Sequence, residues 1–335
     1  MTDNVLAAPR AEIRRGRLPV VALLAGATGL MFLISLMLGP GGLGLPGNGS
    51  APTILFEIRL PRALLGALIG AALGLSGAVL QGYLRNPLAE PGLLGVSGGA
   101  SLGAVIAIHS GLAGSFALAL PAGGLAGAAV AALAVLMLAG ERSGSLTLIL
   151  AGVAISALAA ALTTFTLTLS SNPFAAVEML FWLMGSLGDR SMLHVWLAAP
   201  LILVGTLVLL STGRDLDALT LGEDAAQNLG VDLRFLRTRI IVGTVLAVGA
   251  ATAVAGTIAF VGLIVPHLLR PFVGYEPRRL LPASAFGGAA MLLAADVILR
   301  LAAPLSDVRL GVATAMIGAP FFLWLVIKSR RELGP

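Results

Sequence analysis

PGLLGVSGGASLGAVIAIHSGLAGSFALALPAGGLAGAAVAALAVLMLAG, residues Pro91 to Gly140, contains no Asp, Glu, Lys or Arg in 50 positions. A helix crosses the hydrocarbon core of a bilayer in roughly 20 residues. The stretch therefore holds two crossings, with the break near His109 to Ser115. Its apolar residues run together and do not alternate, which excludes the strands of a membrane barrel. The whole chain has the same character: 58% of its 335 residues are hydrophobic and 11% charged, with a mean hydropathy of +0.99. An ordinary soluble domain is roughly 45–50% apolar and about 25% charged. One soluble core cannot absorb this much apolar surface, so a disordered chain, a secreted disulfide scaffold and a soluble enzyme are all excluded. There is no cysteine, hence no disulfide framework, thiolate metal site or thiol catalysis.

Working outward from that stretch, eight further crossings are expected. Residues 1–17 form a polar tail ending in Arg10, Arg14, Arg15 and Arg17. Leu18 to Leu38 is a charge-free run of 21 residues, too long for a cleaved signal of about 7–15 apolar residues, and reads as a retained first span. Ala63 to Leu84 is the second, closed by Asn86-Pro87-Leu88-Ala89-Glu90-Pro91, whose prolines cannot sit inside a regular helix. After the paired crossings of Pro91 to Gly140, Ser143 to Ser170 is the fifth span. Phe174 to Asp189 is too short and mixed to cross. Ser191 to Gly213 is the sixth. Ile240 to Leu269 reads as a full seventh span, a turn at Gly256, and a short eighth containing Pro266. Leu280 to Arg300 and Leu310 to Ile327 complete a set of ten. The fold class is an all-α polytopic membrane protein, with residues 18–330 forming one transmembrane domain and 331–335 a short tail.

Charge gives the orientation. With ten spans both termini share a side; 16 of the 21 basic residues then fall inside and 5 outside, as the positive-inside rule requires. The net charge of +5 thus reports topology and not nucleic-acid binding. Glycine, 43 residues, is at about twice its usual ~7% share, which suits close helix contact in lipid. Ser76-Gly77-Ala78-Val79-Leu80 in span two and Ala255-Gly256-Thr257-Ile258-Ala259 in span seven echo each other five spans apart. That offset would make spans 2–5 and 7–10 an inverted repeat.

Residues 213–239 form the one soluble-looking segment, carrying nine of the 37 charges on the inner side. Gly222 to Gly230 reads as a short helix. Glu223 and Asp224 sit in its first turn, where the helix dipole favours them, and Gly230 suits the left-handed position past its end. Ala225, Ala226 and Leu229 make a small apolar face, fit for docking into another protein's groove.

Chemistry of its own is missing. A P-loop needs a lysine beside its last glycine, and the single lysine, Lys328, follows Ile327. His109, His194 and His267 are scattered without metal-ligand spacing; His267 is expected to serve a local structural contact. No catalytic residue is identified. Asp296 is the one carboxylate well inside a span, and an i,i+4 pair with Arg300 accounts for it; an ion-coupled secondary transporter would use it instead. On span five, Ser156, Thr163, Thr166 and Ser170 share one face. They either line an aqueous path or bond backbone carbonyls and neighbouring helices.

Arg59-Leu60-Pro61-Arg62 and Asn86-Pro87-Leu88-Ala89-Glu90-Pro91-Gly92-Leu93-Leu94-Gly95-Val96-Ser97 make the sequence recognisable. So do Leu150-Ala151-Gly152-Val153, Phe260 to Arg270, and Gly311 to Pro320. The chain resembles the permeases of type II ABC importers for vitamin B12, ferric siderophores and haem over roughly residues 18–330. The resemblance implies a homodimer in the bacterial inner membrane with the path at its interface. It implies two cytoplasmic ATP-binding cassette subunits that hold the ATP and Mg, and a periplasmic binding protein docked above. It maps binding-protein docking to Arg59, Arg62 and Arg300, and cytoplasmic gates to Asn86, Leu88 and Ser143-Gly144-Ser145-Leu146. It maps ATPase coupling to residues 219–236, including Leu219, Gly222, Glu223, Asp224, Ala225, Ala226, Leu229 and Gly230. No residue separates haem from siderophore from cobalamin, because the binding protein largely chooses the cargo in such systems; an iron chelate is the broader class.

Overall fold

The computed structural model describes residues 18–39, 42–44, 51–116, 118–140, 145–302 and 308–332. The polar tail of residues 1–17 and the gate residues Ser143 and Gly144 lie outside them.

The chain is a helical bundle. Helix α1 (Leu18–Met37) ends in a two-residue antiparallel bridge, β1 (Leu38–Gly39) with β2 (Gly42–Leu43). A π-helical stretch, Ile54–Arg59, runs directly into α2 (Leu60–Tyr83). Span two therefore begins well before Ala63: Glu57, Arg59 and Arg62 interrupt the charge-free run but not the helix. After a loop and a 3-10 turn (Pro91–Leu94) come α3 (Val96–His109), a single turn Leu112–Ser115, and α4 (Ala119–Ala139). The expected break near His109 is thus present. Next are α5 (Ser145–Leu169) and α6 (Pro173–Leu183), the latter started by Asn172, whose side chain accepts from the Phe174 N–H at 3.0 Å. Helix α7 (Met192–Leu210) leads to the short α8 (Gly213–Leu219) and α9 (Glu223–Asn228). Helix α10 (Leu233–Thr244) continues through a π-helical stretch, Val245–Gly249, into α11 (Ala250–Ala255). Then follow α12 (Val261–Leu269), α13 (Pro277–Ala302) and α14 (Leu310–Glu332), which runs past the expected domain limit at residue 330.

Among the described residues, eight helices are long and apolar enough to cross a membrane. Helices α3 and α12 stand where the third and eighth spans were expected and are 14 and 9 residues long. Both follow a left-handed residue, Gly95 (φ +72°) and Phe260 (φ +67°). The turn before α12 requires glycine: Gly256 is at φ +75°, and a Cβ there would lie 2.2 Å from the Trp182 carbonyl oxygen. Spans two and seven each carry a π-helical stretch, and each is followed by a short helix. These paired features are what a repeat of spans 2–5 in spans 7–10 would produce.

Helix α2 is the axis of the bundle. Leu65, Ile69, Leu75 and Leu80 are fully buried, whereas α1 lies peripherally against α13. Glycines set the spacing. A Cβ on Gly70 would meet the Gly288 carbonyl oxygen at 2.4 Å, and one on Gly74 would meet that of Ser284 at 2.2 Å. On the other side of the bundle Gly103 and Gly127 do the same for α3 against α4. With no hydrophobic drive between helices in lipid, such backbone approach supplies the packing.

Candidate functional sites at the two membrane faces

At the outer end, the arginines of the Arg-Leu-Pro-Arg motif fold inward. Arg59 is 7% exposed, and its Nη1 donates to the carbonyl oxygens of Leu36, Met37 and Gly44 at 2.9–3.1 Å. It thereby satisfies carbonyls that the end of α1 leaves without an intrahelical partner. Arg62 grips Asp296 with two nitrogens, Nε at 3.0 Å from both carboxylate oxygens and Nη2 at 2.8 Å from one. Arg300 donates to Ser35 O at 2.9 Å and to Leu38 O, and lies 3.8 Å from Asp296. The expected i,i+4 pair is therefore the weaker contact; the main partner of Asp296 comes from α2. A planar guanidinium matches a carboxylate in two bonds, which Arg300 is not placed to do here. Asp296 is 1% exposed and held between two arginines, so it serves as their structural counter-ion. Of the three arginines assigned to docking, Arg59 and Arg300 are occupied with the end of α1, and Arg62 has the most open side chain, at 27%.

At the inner end, α8 and α9 are fastened to the bundle. Asp215 pairs with Arg239 of α10, and Asp217 accepts from the Arg278 backbone N–H at the start of α13 at 2.9 Å. Glu223 pairs with Arg85, just past α2, at 3.3 Å. The expected helix is present as α9, with Gly222 at φ +106° before it and Gly230 at φ +89° after it. Its apolar face differs from the expected one. Ala226 is fully buried, whereas Leu229 (65% exposed), Leu221 and Phe235 stand out on the surface. Leu219 is buried. Leu221 and Phe235 lie outside the short helix, so helical periodicity within it could not find them.

The loop after α2 is built as an Asx turn, the Leu88 N–H donating to Asn86 Oδ1 at 2.9 Å. Behind it Gln81, 2% exposed, accepts from Arg270 Nη2 at 2.7 Å and donates to the Gly262 and Leu263 carbonyls at 3.3 Å. This clamp of α2 on α12 joins residues 189 positions apart, and no local pattern announces it. Leu146, from the second gate, is exposed at the start of α5.

Each of the four span-five hydroxyls bonds a backbone carbonyl. Thr163 is buried and bonds Ala159 O at 2.8 Å, Thr166 bonds Leu162 O at 2.8 Å, and Ser170 bonds Asn172 O at 3.1 Å. Ser156 reaches Gly92 O at 3.3 Å. The exposed face of α5 mixes large apolar side chains, Leu150, Leu158, Phe165 and Leu169 among them, with the hydroxyls of Thr164 and Thr168. His267 meets Phe321 of α14 edge-on at 5.8 Å, a contact with a distant helix where a local one was expected, and His194 closes a capping box with Ser191.

Residues 20–328 match the FecCD transport family. The chain belongs to that family. It is similar to proteins described as vitamin B12 import system permease BtuC, from Citrobacter koseri and from Salmonella typhimurium. Each is 42% identical over 277 residues, which is 83% of this chain and 84% of the relative. Among solved structures it resembles an inward-facing metal-chelate type ABC transporter. That match has 33% identity and a TM-score of 0.83, covering 93% of this chain and 99% of the other. PsaBC from Streptococcus pneumoniae, at 17% identity and a TM-score of 0.55, shares the fold. This FecCD-family chain is accordingly a non-catalytic, multi-pass permease of the bacterial inner membrane, a subunit of an ABC importer that works with ATPase and binding-protein partners.

Proposed function

We propose that this permease works as a homodimer and passes an iron chelate or cobalamin from a periplasmic binding protein to the cytoplasm by alternating access. Arg62 would meet the binding protein, with Arg59 and Arg300 fixing the end of α1 around it. Charge complementarity of this kind steers docking and sets register. The exposed faces of α5 and α14 would meet the second copy and flank the path between them. Asn86, Leu88 and the loop at residues 143–146 would close its inner end. Cassette subunits carrying ATP and Mg would seat on Leu221, Leu229 and Phe235.

The observation that carries this reading is the inner surface. Three exposed apolar side chains, Leu221, Leu229 and Phe235, stand on a segment pinned to α2, α10 and α13, in a chain without a P-loop of its own. A bistable permease needs only a partner that favours one of its states on binding nucleotide.

The test is reconstitution in vesicles with the cognate ATPase and binding protein. Haem, ferric siderophores and cobalamin would each be scanned for stimulated ATP hydrolysis and uptake. One of them should stimulate both, and Arg62→Glu should abolish binding-protein docking. Uphill uptake by the permease alone, driven by a proton or sodium gradient, would overturn the reading.

A further inference from the structure

The coupling segment touches the stems of both inner loops. On one side Glu223 of α9 pairs with Arg85, which directly precedes Asn86. On the other, Arg237 of α10 donates from Nη2 to the Gly140 carbonyl at 2.7 Å. Gly140 follows the last turn of α4 and leads into the loop before α5.

Arg85 is an unusual residue for its place. Its φ is +48°, the left-handed position that closes α2, which glycine ordinarily takes. The backbone there is held by the Arg85 N–H on Gly82 O and the Asn86 N–H on Gln81 O. If the turn alone mattered, glycine would serve it without strain. A strained arginine aimed at the coupling helix points to work done by the side chain. That work is not static stability, because half-exposed ion pairs contribute little to it.

We infer that the Glu223–Arg85 and Arg237–Gly140 contacts are the linkage by which the ATPase-docking segment moves the two inner loops, one contact to each loop. The inference rests on the reading of residues 213–239 as the docking segment. Motion of α9 and α10 pulls the stem of the α2–α3 loop through a charge pair and the stem of the α4–α5 loop through a hydrogen bond. Neither contact is needed for the ATPase to bind.

The experiment compares ATP hydrolysed per cargo imported, in vesicles containing the full importer. Arg85→Gly removes the guanidinium and keeps the left-handed turn, so folding is preserved; a melting curve checks this. It should leave ATPase affinity unchanged and raise ATP per cargo about fivefold, the low end of allosteric couplings. Arg237→Gln should act in the same direction. Arg85→Glu combined with Glu223→Arg rebuilds the pair with its charges exchanged and should bring the ratio back toward wild type, which a merely structural role would not do. An unchanged ratio in Arg85→Gly, or no rescue by the exchanged pair, overturns the linkage. Failure of the wild-type chain to bind any ATPase subunit would instead overturn the importer reading on which it rests.

Discussion

At their outer ends α2 and α13 meet through Arg62 and Asp296, with the carboxylate buried. At their inner ends the same helices are each tied to the coupling segment, α2 through Arg85–Glu223 and α13 through the Arg278 N–H on Asp217. Between the two ends the glycine seam at Gly70, Gly74 and Gly288 locks the pair into one rigid bar. The contrast is one of solvent. A buried pair fixes a distance, because separating it strands charge in a low-dielectric place. An exposed pair adds little to static stability and can adjust its geometry in water, which suits a contact that links two parts moving together.

The largest effect should come from the outer end. Asp296→Ala leaves Arg62 and Arg300 facing each other without their shared carboxylate. The expected loss is about 3–5 kcal/mol, toward the lower figure because Arg62 is partly open to water. Thermal unfolding in detergent reads it. Glu223→Ala in the same assay should cost at most ~1 kcal/mol. Equal losses from the two variants would erase the distinction between the ends.

The bar itself comes next. Gly74→Ala places a methyl 2.2 Å from the Ser284 carbonyl oxygen, and the helices must separate. Overpacking of this kind costs about 1–3 kcal/mol. If α2 and α13 are one bar, the variant should also raise amide exchange in both helices together. Exchange confined to α2 would mean that the helices move independently.

Much of this was legible in the sequence, and the legible part is the part that depends on runs. Charge-free stretches located the long helices, and Gly222 and Gly230 bracketed α9 as expected. Gly256 marked the turn before α12. Contacts that cross between distant segments were not legible. Asp296 could be paired on paper only with Arg300, four residues away, because nothing local reveals that α2 brings Arg62 to it. For the same reason nothing in the Arg-Leu-Pro-Arg motif shows that Arg59 closes the end of α1. Gln81 is an isolated polar residue in an apolar helix, and its meaning shows only when Arg270 and the Gly262 carbonyl are beside it. The small apolar face expected on α9 differs because Ala226 is buried by packing from outside its own helix, while the exposed Leu221 and Phe235 lie in the flanking segments.

The smallest expected effect would sharpen the contrast, because the inner end also holds one charge of the buried kind. Glu90, in the loop between α2 and α3, has its carboxyl pushed above the ordinary value by burial, and a hydrogen bond from the Phe260 backbone N–H pulls it partly back. A carboxyl raised in the folded state is protonated more readily there than in the unfolded chain. Its burial is therefore tolerated best at pH values below the unfolded one, and stability is lost as the pH rises through the folded one. Glu90→Gln keeps an acceptor for the Phe260 N–H and removes the charge. The melting temperature of the variant should match wild type in acid and exceed it progressively as the pH rises. A gap that stays constant with pH, or one that opens in acid, would mean that the hydrogen bond outweighs burial and that Glu90 is held ionised like a surface carboxylate.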